Sequence, residues 1–294
     1  MQNGIILLIL AMSLTPGIDA LSKYMSTMQT PFQVSFFRYL AAGIVALMIA
    51  RALRQPVQLP RKGRIGHLWR TALLVAAMTL LITALSMVPL ANAVGGFLVA
   101  PIVSTILCVV FLGEGLTMPR LFGIAASAVG AILIARPEAG LELGTVLALA
   151  GGALLGTYLA ATRAATDTGG PLSTLVIQCF LAALLLSPLA FFNGFPPIDL
   201  SVFVYVGGLG VMSAGAHFLT VAAFERADAA VLSPFMYFNL ISALIVGYLV
   251  FGEVPAGQEM VGLVAIALGG FVAAMPWYRI FQRRMRPATN YAHS

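Results

Sequence analysis

Ten apolar runs of about 20 residues follow one another along the chain with only short breaks between them, and that length is what a helix needs to cross a hydrocarbon core. They cover approximately Gly4 to Ser22, Phe32 to Ala50, Leu68 to Val88, Ala91 to Leu112, Arg120 to Ala135, Leu143 to Ala161, Leu172 to Phe192, Ser201 to Phe224, Ala229 to Phe251 and Gln258 to Trp277. The runs are continuous rather than alternating, which argues against a transmembrane barrel. Only 9% of the 294 residues are charged and 60% are hydrophobic, whereas an average soluble domain carries roughly 25% charged residues. With a mean hydropathy of +0.99, the chain cannot present a soluble surface. A soluble enzyme, a secreted disulfide scaffold and a disordered protein are thereby excluded. The expected fold class is an all-α integral membrane protein of ten transmembrane helices, partnered by the lipid bilayer and without an attached soluble domain. The first run lacks a basic leading segment and carries Asp19 and Lys23 near its end, so it reads as a helix of the mature protein.

The net charge of +6 is topological rather than a nucleic-acid footprint, which would need a basic face on a polar protein. With the N-terminus placed in the cytoplasm, thirteen of the sixteen basic residues fall in cytoplasmic segments, six of them between Arg51 and Arg70 and four in the tail from Arg279 to Arg286. Only Lys23 and Arg136 fall outside, and Arg38 lies within span two. This is the bias expected of cytoplasmic loops, and it predicts both ends in the cytoplasm, with a bacterial inner membrane as the expected location.

Sliding the chain along itself by 139 residues superposes Gly17 on Gly156, Ala84 on Ala223, Gly113-Glu114 on Gly252-Glu253, Gly123 on Gly262, Gly130 on Gly269 and Pro137 on Pro276. The expectation is two five-span repeats, 1–139 and 140–294, the second ending in a short basic tail. Five is odd, so the second repeat enters from the opposite side. Such inverted repeats are typical of transporters, with the substrate near the midplane between the halves; channels use them too.

Two copies of an Ala-rich span ending in Gly-Glu stand out, PLANAVGGFLVAPIVSTILCVVFLGE (Pro89 to Glu114) and DAAVLSPFMYFNLISALIVGYLVFGE (Asp228 to Glu253). Each precedes a span with glycines at matched places. With DALSKYMS (Asp19 to Ser26) and FFRYL (Phe36 to Leu40), these segments resemble the drug/metabolite transporter superfamily, EamA type, over essentially the whole chain. The resemblance implies ten helices and a central cavity lined largely by spans one, three, four, six, eight and nine. It also implies a small metabolite as cargo, among them amino acids, nucleosides, flavins or S-adenosylmethionine. The second copy departs from the first: Pro101 falls on Leu240 and Pro234 on Gly95, so two kinks at different heights and an asymmetric site are expected.

Ionisable groups inside a bilayer are costly, and so are paired or functional. Four are expected within the spans or at their edges: Asp19, Lys23, Arg38 and His217. Asp19 and Lys23 share a helix face, and Arg38 enters span two to a similar depth. Either the three merely staple spans one and two, or they gate the outer end or clamp a zwitterion. The repeat counterparts of Asp19 and Lys23 are the uncharged Tyr158 and Thr162. His217, opposite Met78 in the repeat, either contacts substrate or protons or bonds to a neighbouring helix. Tyr237 and Phe238 could stack a ring, Asn239 could bond a polar group, and Gly95 and Gly96 permit close approach of a helix or a ligand. With Met78 and Tyr158 these make up the candidate cavity.

Glu114, Glu253, Glu225, Arg226 and Asp228 read as structural or gating residues at the membrane surface. Cys108 and Cys179 read as small packing residues. No catalytic triad, metal spacing or cofactor motif is found, so the chain is not expected to be an enzyme. A membrane-embedded enzyme or scaffold is the competing class. The first expectation for the cargo is an amino acid, exported by alternating access. The alternative is uptake of S-adenosylmethionine, a flavin or a nucleoside.

Overall fold

The computed structural model describes residues 2–58, 64–113, 115, 117–135, 142–165, 171–192, 194, 199–224, 226 and 232–274. The described residues form ten rods. Spans one to three are Gln2–Met25, Pro31–Ala52 and Arg64–Leu85. Span four is broken into Leu90–Phe97 and Ala100–Leu112. Spans five to eight are Met118–Ala135, Leu143–Ala164, Pro171–Ala190 and Leu200–Phe224. Span nine opens with a 3₁₀ turn, Ser233–Tyr237, and continues as Phe238–Phe251; span ten is Gly257–Ala274. Seven rods are long and apolar enough to cross a membrane by that measure alone, and the apolar stretches 121–134, 235–251 and 257–272 are shorter. A helix satisfies its own backbone groups, which lipid cannot do. Ile44, Met48, Phe111, Phe122, Phe203 and Leu249 stay largely exposed on the bundle's outside, as side chains facing lipid tails can.

The two expected proline kinks take another form. Pro101 and Pro234 each stand in the first turn of a new segment rather than inside a continuous helix. There the missing N–H costs nothing and the fixed φ suits the start. The repeated Gly-Glu is a helix stop. Gly113 and Gly252 end their helices in the same left-handed conformation, both at φ 68°, which only glycine adopts without strain.

The rods pack in an interlocked order. Span one lies on spans eight and nine, and span three on span six. Span four packs on span six, span two on span seven and span five on span ten. Every one of these contacts joins the stretch before residue 139 to the stretch after it. The seam between spans five and ten is backbone on backbone. A Cβ on Gly130 would stand 2.6 Å from the Gly262 carbonyl oxygen, and one on Gly262 would stand 2.7 Å from that of Gly130. A Cβ on Gly269 would likewise lie 2.7 Å from the Gly123 oxygen. Shifting the first contact by 139 residues produces the last. Small residues are what membrane helices use for such approach. Gly152 and Gly156 serve in the same way where span six crosses the carbonyls of Phe97 and Ala100.

Candidate functional site

Asp19 is buried on span one and accepts a hydrogen bond from Arg38 Nη1 of span two at 3.1 Å. This is the pairing their matched depths require. Asp19 keeps 3% of its side chain accessible and Arg38 14%. Arg38 lies among the buried residues Val34, Phe37, Ala41 and Ala42 of span two.

Lys23 departs from the expected three-residue cluster. Four residues further on is about 6 Å along a helix, and from there its ammonium reaches spans four and nine instead of Arg38. Nζ lies 2.5 Å from Glu253 Oε1 and donates to the Val88 carbonyl at 2.7 Å, with the Phe251 ring centroid 5.2 Å away. The second oxygen of Glu253 accepts the Leu90 backbone N–H at 2.6 Å. This carboxylate therefore caps the first half-helix of span four, where the aligned peptide dipoles favour a negative charge. Glu253, read from the sequence as a structural or gating residue at the end of span nine, is the centre of a tie holding the ends of spans one and nine to the start of span four. Glu114, its counterpart in the repeat, lies outside the described residues, as do Glu225 and Asp228.

The remaining candidates divide. Tyr237 is 7% exposed, and its ring lies where a side chain on Gly270 of span ten would stand, so it fills the space between spans nine and ten. Gly95 admits the Leu263 side chain and Gly96 admits Ala148, so both glycines serve helix approach. Met78 packs between two apolar clusters. Tyr158 exchanges a hydrogen bond with Gln178 of span seven at 3.3 Å. Phe238 and Asn239 are partly buried at the start of the long segment of span nine. Asn239 Oδ1 and His217 Nε2 are enclosed and bond to no protein group.

Sequence reasoning did not single out Thr79 on span three, Asn92 on span four and Ser213 on span eight, whose side-chain oxygens are also enclosed without a protein partner. Each is an uncharged polar residue on a span the resemblance places at the cavity, and that was the available signal. Two further buried ionisable residues, His67 and Arg70, lie inside span three. That helix begins at Arg64, four residues before its apolar run, because nothing in Arg64 to His67 stops a helix.

The EamA-like transporter family matches the chain twice, over residues 2–136 and 142–275. A riboflavin transporter of Vibrio cholerae is 28% identical over 80% of each chain. An S-adenosylmethionine uptake transporter of Rickettsia conorii is 26% identical over 90% of each. A riboflavin transporter of Brucella anthropi is 26% identical over 76% of this chain and 80% of its own. A crystal structure at 18% identity superposes over 98% of both chains with a TM-score of 0.65, a likeness of fold. None of these relatives is named for an amino acid, so the first expectation for the cargo finds no support among them, and the alternative stands closer. With a helical membrane-spanning bundle and both stretches matched, the chain belongs to the EamA-like transporter family.

Proposed function

We propose that this protein is an uptake carrier for a small, ring-bearing metabolite of the flavin type. The observation that carries the reading is the division of polar groups in the bundle. Asp19 is committed to Arg38 and Lys23 to Glu253, so two opposite charges do not stand open for a zwitterion. Among the described residues, the enclosed side-chain atoms that bond to no protein group include those of Thr79, Asn92, Thr162, Ser213, His217 and Asn239, and none of them belongs to a carboxylate, an ammonium or a guanidinium. Buried polar groups of this kind reject a ligand that leaves them unpaired and favour one that bonds to them. A flavin offers ring carbonyls, a ring N–H and the hydroxyls of its chain. The names of the V. cholerae and B. anthropi relatives support the same cargo. S-adenosylmethionine is the second reading, supported by the R. conorii relative, and it brings a zwitterion that the paired charges answer less well.

On this reading the halves 1–139 and 140–294 rock about the seam of spans five and ten, and the tie around Glu253 closes the outer end. The charge bias supports cytoplasmic ends and an inner-membrane location. A cysteine at Arg61 or Gln282 should accordingly be labelled from the cytoplasmic side alone. The function is tested by uptake of radiolabelled riboflavin, S-adenosylmethionine and a panel of amino acids into proteoliposomes. Riboflavin uptake that unlabelled flavin abolishes and amino acids leave untouched is the expected outcome. Flux of amino acids alone would end the proposal.

A further inference from the structure

Two buried ionisable side chains of span three, His67 and Arg70, have no part in the reading above, and each is only 6% exposed. Arg70 lies six residues into the helix that begins at Arg64, or about 9 Å at 1.5 Å per residue. This is the end of the bundle that the charge bias assigns to the cytoplasm. Arg70 Nε donates to the Gly66 carbonyl one turn back, at 3.2 Å, which brings the guanidinium down beside Gly66. Among the described residues the guanidinium bonds to nothing else and pairs with no carboxylate. The described carboxylates belong to the other end. Glu142, Asp199 and Glu259 introduce spans six, eight and ten, Glu253 follows span nine, and Asp19 lies in the last third of span one. His67, three residues from Arg70 and so its neighbour on the helix surface, has an enclosed Nε2 that bonds to no protein group.

The space beside these groups is open. Further up, spans three and six touch: a Cβ on Gly144 would stand 3.5 Å from the Ala84 carbonyl oxygen, and one on Gly151 2.9 Å from that of Ala77. Seven residues forward on span six therefore match seven back on span three. Eleven more, about three turns of either helix, reach Thr162 and Gly66 on the same two faces. There the helices have parted, for among the described residues nothing lies within 4 Å of a Cβ on Gly66. Thr162 Oγ1 bonds to no protein group. Trp69, beside Arg70 in the chain, is 61% exposed and is the residue type that gathers at the level of lipid headgroups.

We propose that the wedge between these ends of spans three and six is a phosphate-binding site. Arg70 offers its free nitrogens to two phosphate oxygens, Thr162 a hydroxyl and His67 a ring N–H. A buried cation without a partner is costly, and a phosphate supplies both the opposite charge and the acceptors. Basic pockets between membrane helices at this level take lipid headgroups, and a soluble phosphate would meet the same donors. The site is independent of the cargo: it stands whether or not the protein carries a flavin.

The test follows thermal unfolding of the delipidated full-length protein in an uncharged detergent. It is titrated with inorganic phosphate or with phosphatidylglycerol, against chloride at matched ionic strength and an uncharged glycolipid without phosphate. A group that binds only the folded protein raises its melting temperature, so a saturable rise is expected with a phosphate probe and none with the controls. A rise with phosphatidylglycerol alone assigns the site to a headgroup, and a rise with inorganic phosphate assigns it to a soluble anion. Arg70→Gln keeps a donor for the Gly66 carbonyl and removes the charge. It should abolish the rise and, without phosphate, melt no lower than the parent, because it removes an unpaired buried charge. Arg70→Lys keeps the charge without the fork, and Thr162→Val keeps the shape without the hydroxyl. Each should weaken binding about tenfold, the scale of one lost hydrogen bond. A parent that neither phosphate probe stabilises overturns the proposal. So does a rise that persists in Arg70→Gln, or an Arg70→Gln protein that melts well below the parent without phosphate, since the guanidinium would then be satisfied within the protein.

Discussion

The seam between spans five and ten and the polar middle of the bundle follow opposite rules. At the seam the 139-residue offset is kept to the atom: Gly130 against Gly262 reappears as Gly269 against Gly123, and Ser127 donates to the carbonyl of Ile266, its own counterpart. In the middle the offset pairs unlike chemistry, Asp19 with Tyr158, Lys23 with Thr162 and His217 with Met78. The Oγ1 of Thr162 is enclosed without a protein partner, where Lys23 holds an ion pair. The seam needs only close approach, and glycine supplies that equally from either side. A bound molecule is not symmetric, and the groups that hold it have no reason to be.

The sharpest way to break this comparison is to unbalance the middle. Asp19→Asn or Arg38→Gln alone leaves one buried group without its partner and should cost about 3–5 kcal/mol, read as a large fall in melting temperature in detergent. The double variant should recover most of that loss. A stable single variant would mean that water or lipid headgroups already satisfy the pair. At the seam, Gly130→Val and Gly269→Val each force backbone apart and should cost about 1–3 kcal/mol. The two losses should be similar, because the sites exchange under the offset; a clear inequality in thermal unfolding would show that the seam is less symmetric than its contacts. Glu253→Gln keeps an oxygen for the Leu90 N–H and removes the charge facing Lys23. A cysteine at Val94, buried just inside that tie, should then react about tenfold faster with a water-soluble thiol reagent, the worth of about 1.4 kcal/mol. An unchanged rate would show that Lys23 holds nothing shut. The smallest structural effect is expected from His217→Ala. Since Nε2 bonds to no protein group, stability should move by about 1 kcal/mol or less while substrate flux drops. Parental flux would return His217 to packing.

Much of the fold could be read from the chain because membrane length is a blunt constraint. Ten runs of the right length leave little freedom, and the helix stops at Gly113 and Gly252 announce themselves as repeated Gly-Glu. What could not be read was direction and reach. The depths of Asp19 and Arg38 follow from counting residues, and so does their meeting. Lys23 lies one turn beyond Asp19 on a shared face, but a long, flexible side chain near a helix end selects among partners from several rods. Nothing local in the sequence states that Val88, Leu90 and Glu253 converge there. Likewise Tyr237 looks like a stacking residue until Gly270, thirty-three positions away, leaves a hollow that its ring fills. Polar residues such as Thr79 and Asn92 carry no charge and break no run, so they are legible as site groups only once their bonds can be counted.

Ser127 and Ile266, counterparts under the 139-residue offset, meet at the seam, and this has a consequence for assembly. A free half-length protein inserted in both orientations would present the same residue twice at that point, and the residue would have to fit its own rotated copy. Joined in one polypeptide, the two positions are written separately, so one side can offer a hydroxyl and the other a carbonyl and a branched side chain. Cutting the chain between residues 136 and 141 and supplying the pieces separately should give halves that reassociate with each other in preference to copies of themselves.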